Sequence, residues 1–234
     1  IQTSSVGAMA GFYYVWCCLQ RFGSSSAEFL KMLKEFFAYP LTRRVDIDAP
    51  QCTELRRSVI QNKTFLRQIY IYWYKSLSML LPPREGPVLE LGSGSGFLKD
   101  FIPNLITSDI FQIKGIDLVL DGQSLPFKDT SLQAIVMVDV SHHIPDVTSF
   151  LAEAARCIEP DGAIVMVEPW ITRWSALIYR YLHHEPYHPE TNKWDFAEGK
   201  PLSQANLALP WIIFARDRKV FERQFPEWGI KQIT

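Results

Sequence analysis

From Val88 onward, short unbroken apolar runs alternate with stretches in which apolar residues recur every three or four positions. Such runs read as strands buried on both faces, and the longer period reads as amphipathic helix. The pattern predicts strands at Val88–Leu91, Leu105–Asp109, Gly115–Val119, Leu132–Val138 and Ala163–Val167. Helices are predicted at Gly96–Ile102, at Val147–Ile158 with Pro160-Asp161-Gly162 closing it, and at Arg173–His183. A short helix at Arg218–Gln224 and a last strand at Gly229–Ile233 follow, with Leu207–Ala215 unassigned. Residues 185–205 are polar and contain proline, and read as a loop or lid.

The first third has a different texture. Ser25-Ser26-Ala27-Glu28 reads as a capping box for a helix carrying Phe29, Leu30, Leu33, Phe36 and Phe37, stopped by Pro40. A second helix is predicted over Ser58–Leu81, with Phe65, Leu66, Ile69, Trp73, Leu77 and Leu80 on one face and Pro82-Pro83 at its end. The expected organisation is a helical extension over residues 1–85, serving as a cover, and an α/β domain over residues 86–234.

Composition narrows the function classes. With 234 residues, 47% hydrophobic, the chain can build one sizeable core, and this excludes a disordered chain. Its 24 Lys and Arg against 25 Asp and Glu leave a net charge of -1, so no global field draws it to nucleic acid. Cys17, Cys18, Cys52 and Cys157 form no disulfide framework and no paired-cysteine zinc motif, which points to a reducing, cytoplasmic setting. Residues 1–20 lack the basic leading region of a signal peptide, and polar residues interrupt any spanning run, so no stable membrane insertion is expected. The chain starts with Ile, and a trimmed start is expected.

The chemistry concentrates in Val88-Leu89-Glu90-Leu91-Gly92-Ser93-Gly94-Ser95-Gly96-Phe97. A hydrophobic strand running into glycines that turn sharply, bare their N–H groups and open a helix is the design of a nucleotide or nucleoside site. A dinucleotide fingerprint needs its third glycine where Phe97 stands, and a phosphate loop needs a Gly-Lys-Ser/Thr ending that is missing. NAD and nucleoside triphosphates therefore fit poorly.

Glu90-Leu91-Gly92-Ser93-Gly94-Ser95-Gly96 resembles the first motif of the class I S-adenosylmethionine-dependent methyltransferases, an acidic residue followed by Gly-x-Gly-x-Gly. Further stretches agree in order. Asp109 ends the second strand, Asp121-Gly122-Gln123-Ser124-Leu125-Pro126-Phe127 resembles the adenine-edge loop, Ala134 to Asp146 resembles the fourth strand and its exit, and Glu153 to Gly162 resembles the next helix and turn. The resemblance implies a Rossmann-like, doubly wound, mostly parallel α/β sheet and S-adenosylmethionine as cofactor. It implies cofactor contacts by Glu90, Gly92, Ser93, Gly94, Gly96, Asp109, Asp121, Gly122, Gln123 and Asp139, with Glu90 toward the ammonium, Asp109 toward the ribose hydroxyls, and Asp121 and Gly122 toward the adenine.

This chain departs from the family in two places. The eleven residues between Asp109 and Asp121 leave no room for a full helix, so a loop is expected there. The usual sheet has seven strands, and the chain ends near where the sixth begins, so either a C-terminal piece is missing or the edge is completed differently.

The implied activity is methyl transfer to a small-molecule acceptor, at an O, N or C atom. His143, and second His142, are the expected bases after strand four, where the methyl would emerge. Trp170, Trp174 and Tyr181 are expected to roof an apolar or sugar-bearing small molecule. His183, His184, Glu185 and His188 match no metal-ligand spacing and are read as substrate-facing or structural, with no metal expected. The competing reading is a methyltransferase-like binding or scaffold subunit without turnover.

Overall fold

The computed structural model describes residues 46, 48–94, 96–197, 199–200 and 202–233, and the helix expected over residues 25–40 lies outside them. Two helices come first, α1 (Pro50–Asn62) and α2 (Thr64–Leu80). The strands are β1 (Val88–Leu91), β2 (Leu105–Asp109), β3 (Leu118–Val119), β4 (Leu132–Val138) and β5 (Ile158–Val167). Helix α3 (Val147–Cys157) joins β4 to β5, and α4 (Arg173–Tyr181) and α5 (Arg218–Gln224) follow β5. The sheet order is β3-β2-β1-β4-β5 with every pair parallel, so the carboxyl ends of β1, β2 and β4 meet along one edge, with the order reversing at β1.

Alternation along the strands divides the core. Leu89, Leu91, Ile135 and Met137 face α3, through Phe150, Leu151 and Ala154, together with Ile212, Ile213 and Phe221 from the C-terminal stretch. Val88, Ala134, Val136 and Val165 face the other way, onto Tyr74 and Leu77 of α2 and Leu98 and Ile102. The sheet is thus covered on both faces, which is why its strands read as continuous apolar runs.

Several expectations are corrected. The helix predicted over Ser58–Leu81 is two helices, because Lys63 is extended (φ -95, ψ 102), and α1 begins earlier, with Pro50 in its first turn. The helix expected at Gly96–Ile102 contracts to a single 3₁₀ turn, Leu98–Asp100; Phe97 at φ -142 is not helical, and Pro103 precedes the start of β2. β3 is two residues long because the Asp117 carboxylate takes the Thr107 N–H at 2.9 Å, where a longer ladder would have used backbone. β5 starts at Ile158, directly after α3, and passes the Pro160-Asp161-Gly162 turn as an irregularity in register, with Asp161 at φ 63. Residues 229–233 form no strand: Trp228 and Ile230 pack on the core around α3, and the Trp228 indole donates to the Leu151 carbonyl at 3.4 Å. Leu207–Ala215 contains a helical turn, Leu209–Trp211, that widens over Ile212–Arg216.

Candidate functional site

The glycine turn after β1 is built from hydrogen bonds to β2. The Ser93 hydroxyl donates to the Glu90 carboxylate at 2.7 Å and accepts the Ser108 N–H at 3.0 Å, while the Ser93 N–H donates to the Ser108 carbonyl at 2.7 Å. The Ser108 hydroxyl donates to the Glu90 carbonyl at 2.7 Å. Gly92 and Gly94 have φ of 62 and 45, a region glycine enters without strain. At Gly92 a Cβ would stand 2.5 Å from a methyl of Val140, and at Gly96 it would collide with the Tyr74 hydroxyl. The Gly94 N–H donates to the Asp109 carboxylate at 3.0 Å, and the Phe111 N–H donates to its other oxygen at 2.9 Å. Arg57 of α1 reaches over the turn, donating to the carbonyls of Gly94 at 3.0 Å and Lys114 at 3.1 Å.

Two acids sit in this turn, both buried. Burial pushes Glu90 up to about 7, against the Ser93 hydrogen bond and with help from the Asp109 charge. Burial also raises Asp109, against the backbone N–H groups of Phe111 and Gly94. A cavity of about 150 Å³ lies behind the turn, lined by Arg57, Glu90, Ser93, Gly96, Phe97 and Thr107 among others.

Beyond β3, Asp121 accepts the Gln123 N–H at 2.9 Å, and the Gln123 side chain accepts the Asp146 N–H at 3.0 Å, so the Asp121-Gly122-Gln123 bend is tied to the segment after β4. Gly122 packs beneath Leu91, where a Cβ would meet a methyl at 3.3 Å. Arg156 and Glu153 of α3 hold the next residues: Glu153 accepts the Leu125 N–H at 2.9 Å, and Arg156 donates to the carbonyls of Leu125 at 3.0 Å and Phe127 at 2.8 Å.

At the end of β4, Asp139 stands at φ 55, and desolvation by the surrounding protein, with the nearby Glu168 charge, raises its carboxyl. The 3₁₀ turn Ser141–His143 follows. Glu168, just past β5, holds that turn: its carboxylate accepts the N–H groups of Val140 at 2.9 Å and Ser141 at 2.7 Å, and meets His142 Nδ1 at 2.8 Å. His142 Nε2 faces a second carboxylate, Glu185, at 3.4 Å. Burial opposes a charge on His142, but hydrogen bonds and charges from Glu168 and Glu185 outweigh it and push the ring up to about 10. His143 goes the other way, to about 4, through burial and the neighbouring His142 charge. The stretch from Glu185 to Asn206 is strapped to this turn at two described residues: Asn206 N–H donates to the His142 carbonyl at 2.9 Å, and Phe196 N–H to the Pro145 carbonyl at 3.0 Å.

Residues 89–166 match the family described as "Methyltransferase domain". A phthiotriol/phenolphthiotriol dimycocerosates methyltransferase of Mycobacterium ulcerans is 35% identical over 57 residues, 24% of this chain and 21% of that protein. A ubiquinone/menaquinone biosynthesis C-methyltransferase of Desulfotalea psychrophila is 29% identical over 104 residues, 37% of this chain and 42% of that one. The chain thus spans less than half the length of these relatives. A solved S-adenosylmethionine-dependent methyltransferase of Thermotoga maritima aligns over 47% of this chain and 57% of its own, at 24% identity and a TM-score of 0.41. Residues 89–166 form a methyltransferase domain.

Within this methyltransferase domain, Glu90, Gly92, Ser93, Gly94, Gly96 and Asp109 come together at one turn, and Asp121, Gly122 and Gln123 form a separate bend. Both ring nitrogens of His142 face carboxylates, Nδ1 toward Glu168 at 2.8 Å and Nε2 toward Glu185 at 3.4 Å, and these favour the charged ring. Arg57, Glu168 and the central position of Glu185 were not visible in the sequence. Each acts across more than 25 residues of chain, and only the Glu-Pro after strand five and the polar His183-His184-Glu185 run hinted at the last two. Among the described residues, no helix is long and apolar enough to cross a membrane, and Cys52 and Cys157 are free and buried.

Proposed function

We propose that this chain transfers the methyl group of S-adenosylmethionine to an apolar small-molecule acceptor. The observation that carries the reading is the Gly94–Asp109 hydrogen bond inside a turn of two positive-φ glycines. The residues fit the cofactor. Glu90 is a buried acid suited to an ammonium, and the backbone of Gly92, Ser93, Gly94 and Gly96 lines the methionine side, its shape held by the Ser93 and Gly94 N–H bonds to Ser108 and Asp109. Asp109 uses two of roughly four carboxylate acceptor sites on backbone and keeps the others for ribose hydroxyls. Asp121, Gly122 and Gln123 face the adenine edge, and Asp139 closes the methionine end. The bound cofactor supplies a methyl on a sulfonium; the chain supplies alignment and exclusion of water.

The acceptor opening lies beside Asp139 and His143, with the strap that carries Phe196 and Asn206 as its cover. An apolar acceptor is supported by the exposed Trp174, Leu177 and Tyr181 of α4 and by the names of the two relatives, which give phthiotriol and phenolphthiotriol dimycocerosates and ubiquinone/menaquinone biosynthesis. Titration calorimetry tests the cofactor reading: S-adenosylmethionine and its demethylated product are expected to bind at one site and NAD not to bind. Absence of binding by the first two overturns it. Binding with no product formation across apolar acceptors would favour the scaffold alternative.

A further inference from the structure

Two groups of metal-ligating side chains occur among the described residues, and both contain Glu185: His142 with His143, and His183 with His184. We propose that the chain binds one divalent ion of the zinc class through His142 Nε2, His143 Nε2 and the Glu185 carboxylate. The sequence spacing carries no metal motif because the ligands come from two segments forty residues apart. The fold joins them where the 185–205 strap crosses the turn after β4.

The spacing of the ligand atoms is the first support. Glu185 oxygens stand 3.4 Å from His142 Nε2 and 3.7 Å from His143 Nε2, and the three ligand atoms lie within 4.8 Å of one another. These separations exceed the roughly 2.7–3.2 Å of a good hydrogen bond. They suit atoms sharing an ion, since tetrahedral ligands at about 2.0–2.1 Å from zinc stand roughly 3.3–3.4 Å apart.

The second support is the outer ring of partners. A metal-bound imidazole characteristically presents its other nitrogen to a carboxylate or a backbone carbonyl, which fixes the tautomer and the ring plane. His142 Nδ1 meets Glu168 at 2.8 Å, and His143 Nδ1 faces the Gln204 carbonyl at 3.4 Å. Glu168 is itself fixed by two backbone N–H groups, so the first ring is held from behind.

Two imidazoles and one carboxylate leave a fourth position open, the arrangement of a catalytic rather than a structural ion. Binding releases the Nε2 proton of His142 to solvent and keeps its Nδ1–H on Glu168. The site lies beside Asp139, so the open position would face the acceptor; this last step rests on the proposed methyl transfer, whereas the ion site does not. His143 then serves as a ligand and not as the free base expected from the sequence.

The test uses the full chain, stripped with a chelator and titrated with Zn²⁺ by calorimetry and with Co²⁺ by visible absorption. One ion per chain is expected, with the intense d–d bands of a low-coordinate site. His143→Ala and Glu185→Gln are each expected to abolish it, Glu168→Gln to weaken it about 10–100-fold, and His188→Ala to leave it intact. X-ray absorption at the zinc edge of the unaltered chain needs no variant and should show two imidazoles. No stoichiometric binding, binding that survives both His143→Ala and Glu185→Gln, or an edge spectrum without imidazole overturns the site. S-adenosylmethionine titration of the same sample separates the two proposals: ion binding without cofactor binding leaves this site standing and removes the methyltransferase reading.

Discussion

Gly94 and Asp109 lie fifteen residues apart in the chain and 3.0 Å apart in the fold, the glycine N–H on the carboxylate. The bond fastens the turn after β1 to the end of β2, so the shape of the turn and the orientation of the acid are one structural unit. A Cβ at Gly94 would stand 3.6 Å from the Gly92 carbonyl and 3.8 Å from Asp109, which is ordinary contact. The left-handed backbone costs a side chain roughly 1–2 kcal/mol, too little to unfold a domain of this size. Gly94→Val should therefore fold with a modestly lower Tm while its methyls occupy the space over Asp109. Calorimetry should show at least about a tenfold loss of S-adenosylmethionine affinity, each tenfold being about 1.4 kcal/mol; unchanged affinity would place the cofactor elsewhere.

Asp109 carries a separate prediction. If it accepts the ribose hydroxyls, Asp109→Ala should lose about 2–4 kcal/mol of cofactor binding, two charge-assisted hydrogen bonds less what water recovers. The substitution also frees the N–H groups of Gly94 and Phe111, so the direct loss mixes ligand contact with loosening of the turn. A deoxyribose analogue separates them. It should bind more weakly than S-adenosylmethionine to the unaltered chain and nearly as well to Asp109→Ala. Equal penalties in both backgrounds would rule the ribose contact out.

Glu90 predicts a pH dependence. Its carboxyl titrates at about 7 in the free chain, pushed up first by burial, and only the ionised form suits an ammonium. Below pH 7 a proton must leave on binding, so affinity should fall about tenfold from pH 8 to pH 6, and Glu90→Gln should bind weakly with a flat profile. Stability of the free chain runs the opposite way. A carboxyl whose folded pKa is raised from 4.5 to about 7 favours the folded state at low pH, and this advantage, roughly 3 kcal/mol, is lost as pH rises through that window. Glu90→Gln should accordingly raise Tm at pH 8 in the absence of cofactor. A lower Tm there would mean the charge is not strained.

β1, β2, β4 and α3 were legible because they are buried by periodicity alone: each apolar position along them meets the core its spacing predicts. The glycine turn was legible because glycine at positive φ leaves a mark in sequence. What failed was decided by side chains rather than by pattern. Asp117 intercepts the ladder of β3, Lys63 breaks a periodicity that continues across it, and Trp228 with Ile230 leave an apparent strand for the core. The surroundings of His142 were out of reach for a further reason. The state of His142 is set by Glu168 and Glu185, 26 and 43 residues away, and no local reading assigns a proton across that distance.

Gln133 offers a test of the fold that is independent of the site. It sits in β4, 5% exposed, and its amide nitrogen donates to the carbonyls of Pro82 at 2.9 Å and Arg84 at 2.7 Å. These two bonds pin the chain after α2 against the sheet, just before β1 begins. Gln133→Ala removes the donor and leaves both carbonyls without it, at a cost of about 1–3 kcal/mol, or a Tm lower by roughly 3–10 °C for a chain of this length. Gln133→Glu keeps the shape but, when ionised, turns an acceptor toward two acceptors. Burial favours the neutral acid there, whose single proton can still serve one carbonyl. The introduced carboxyl should therefore be tolerated near pH 5 and become progressively destabilising as pH rises toward 8, while Gln133→Ala shows no such trend beyond that of the unaltered chain. Thermal melts of the three proteins at both pH values decide it: a Gln133→Glu penalty that does not grow with pH would show that the Pro82 and Arg84 carbonyls are served by water and that the amide is dispensable.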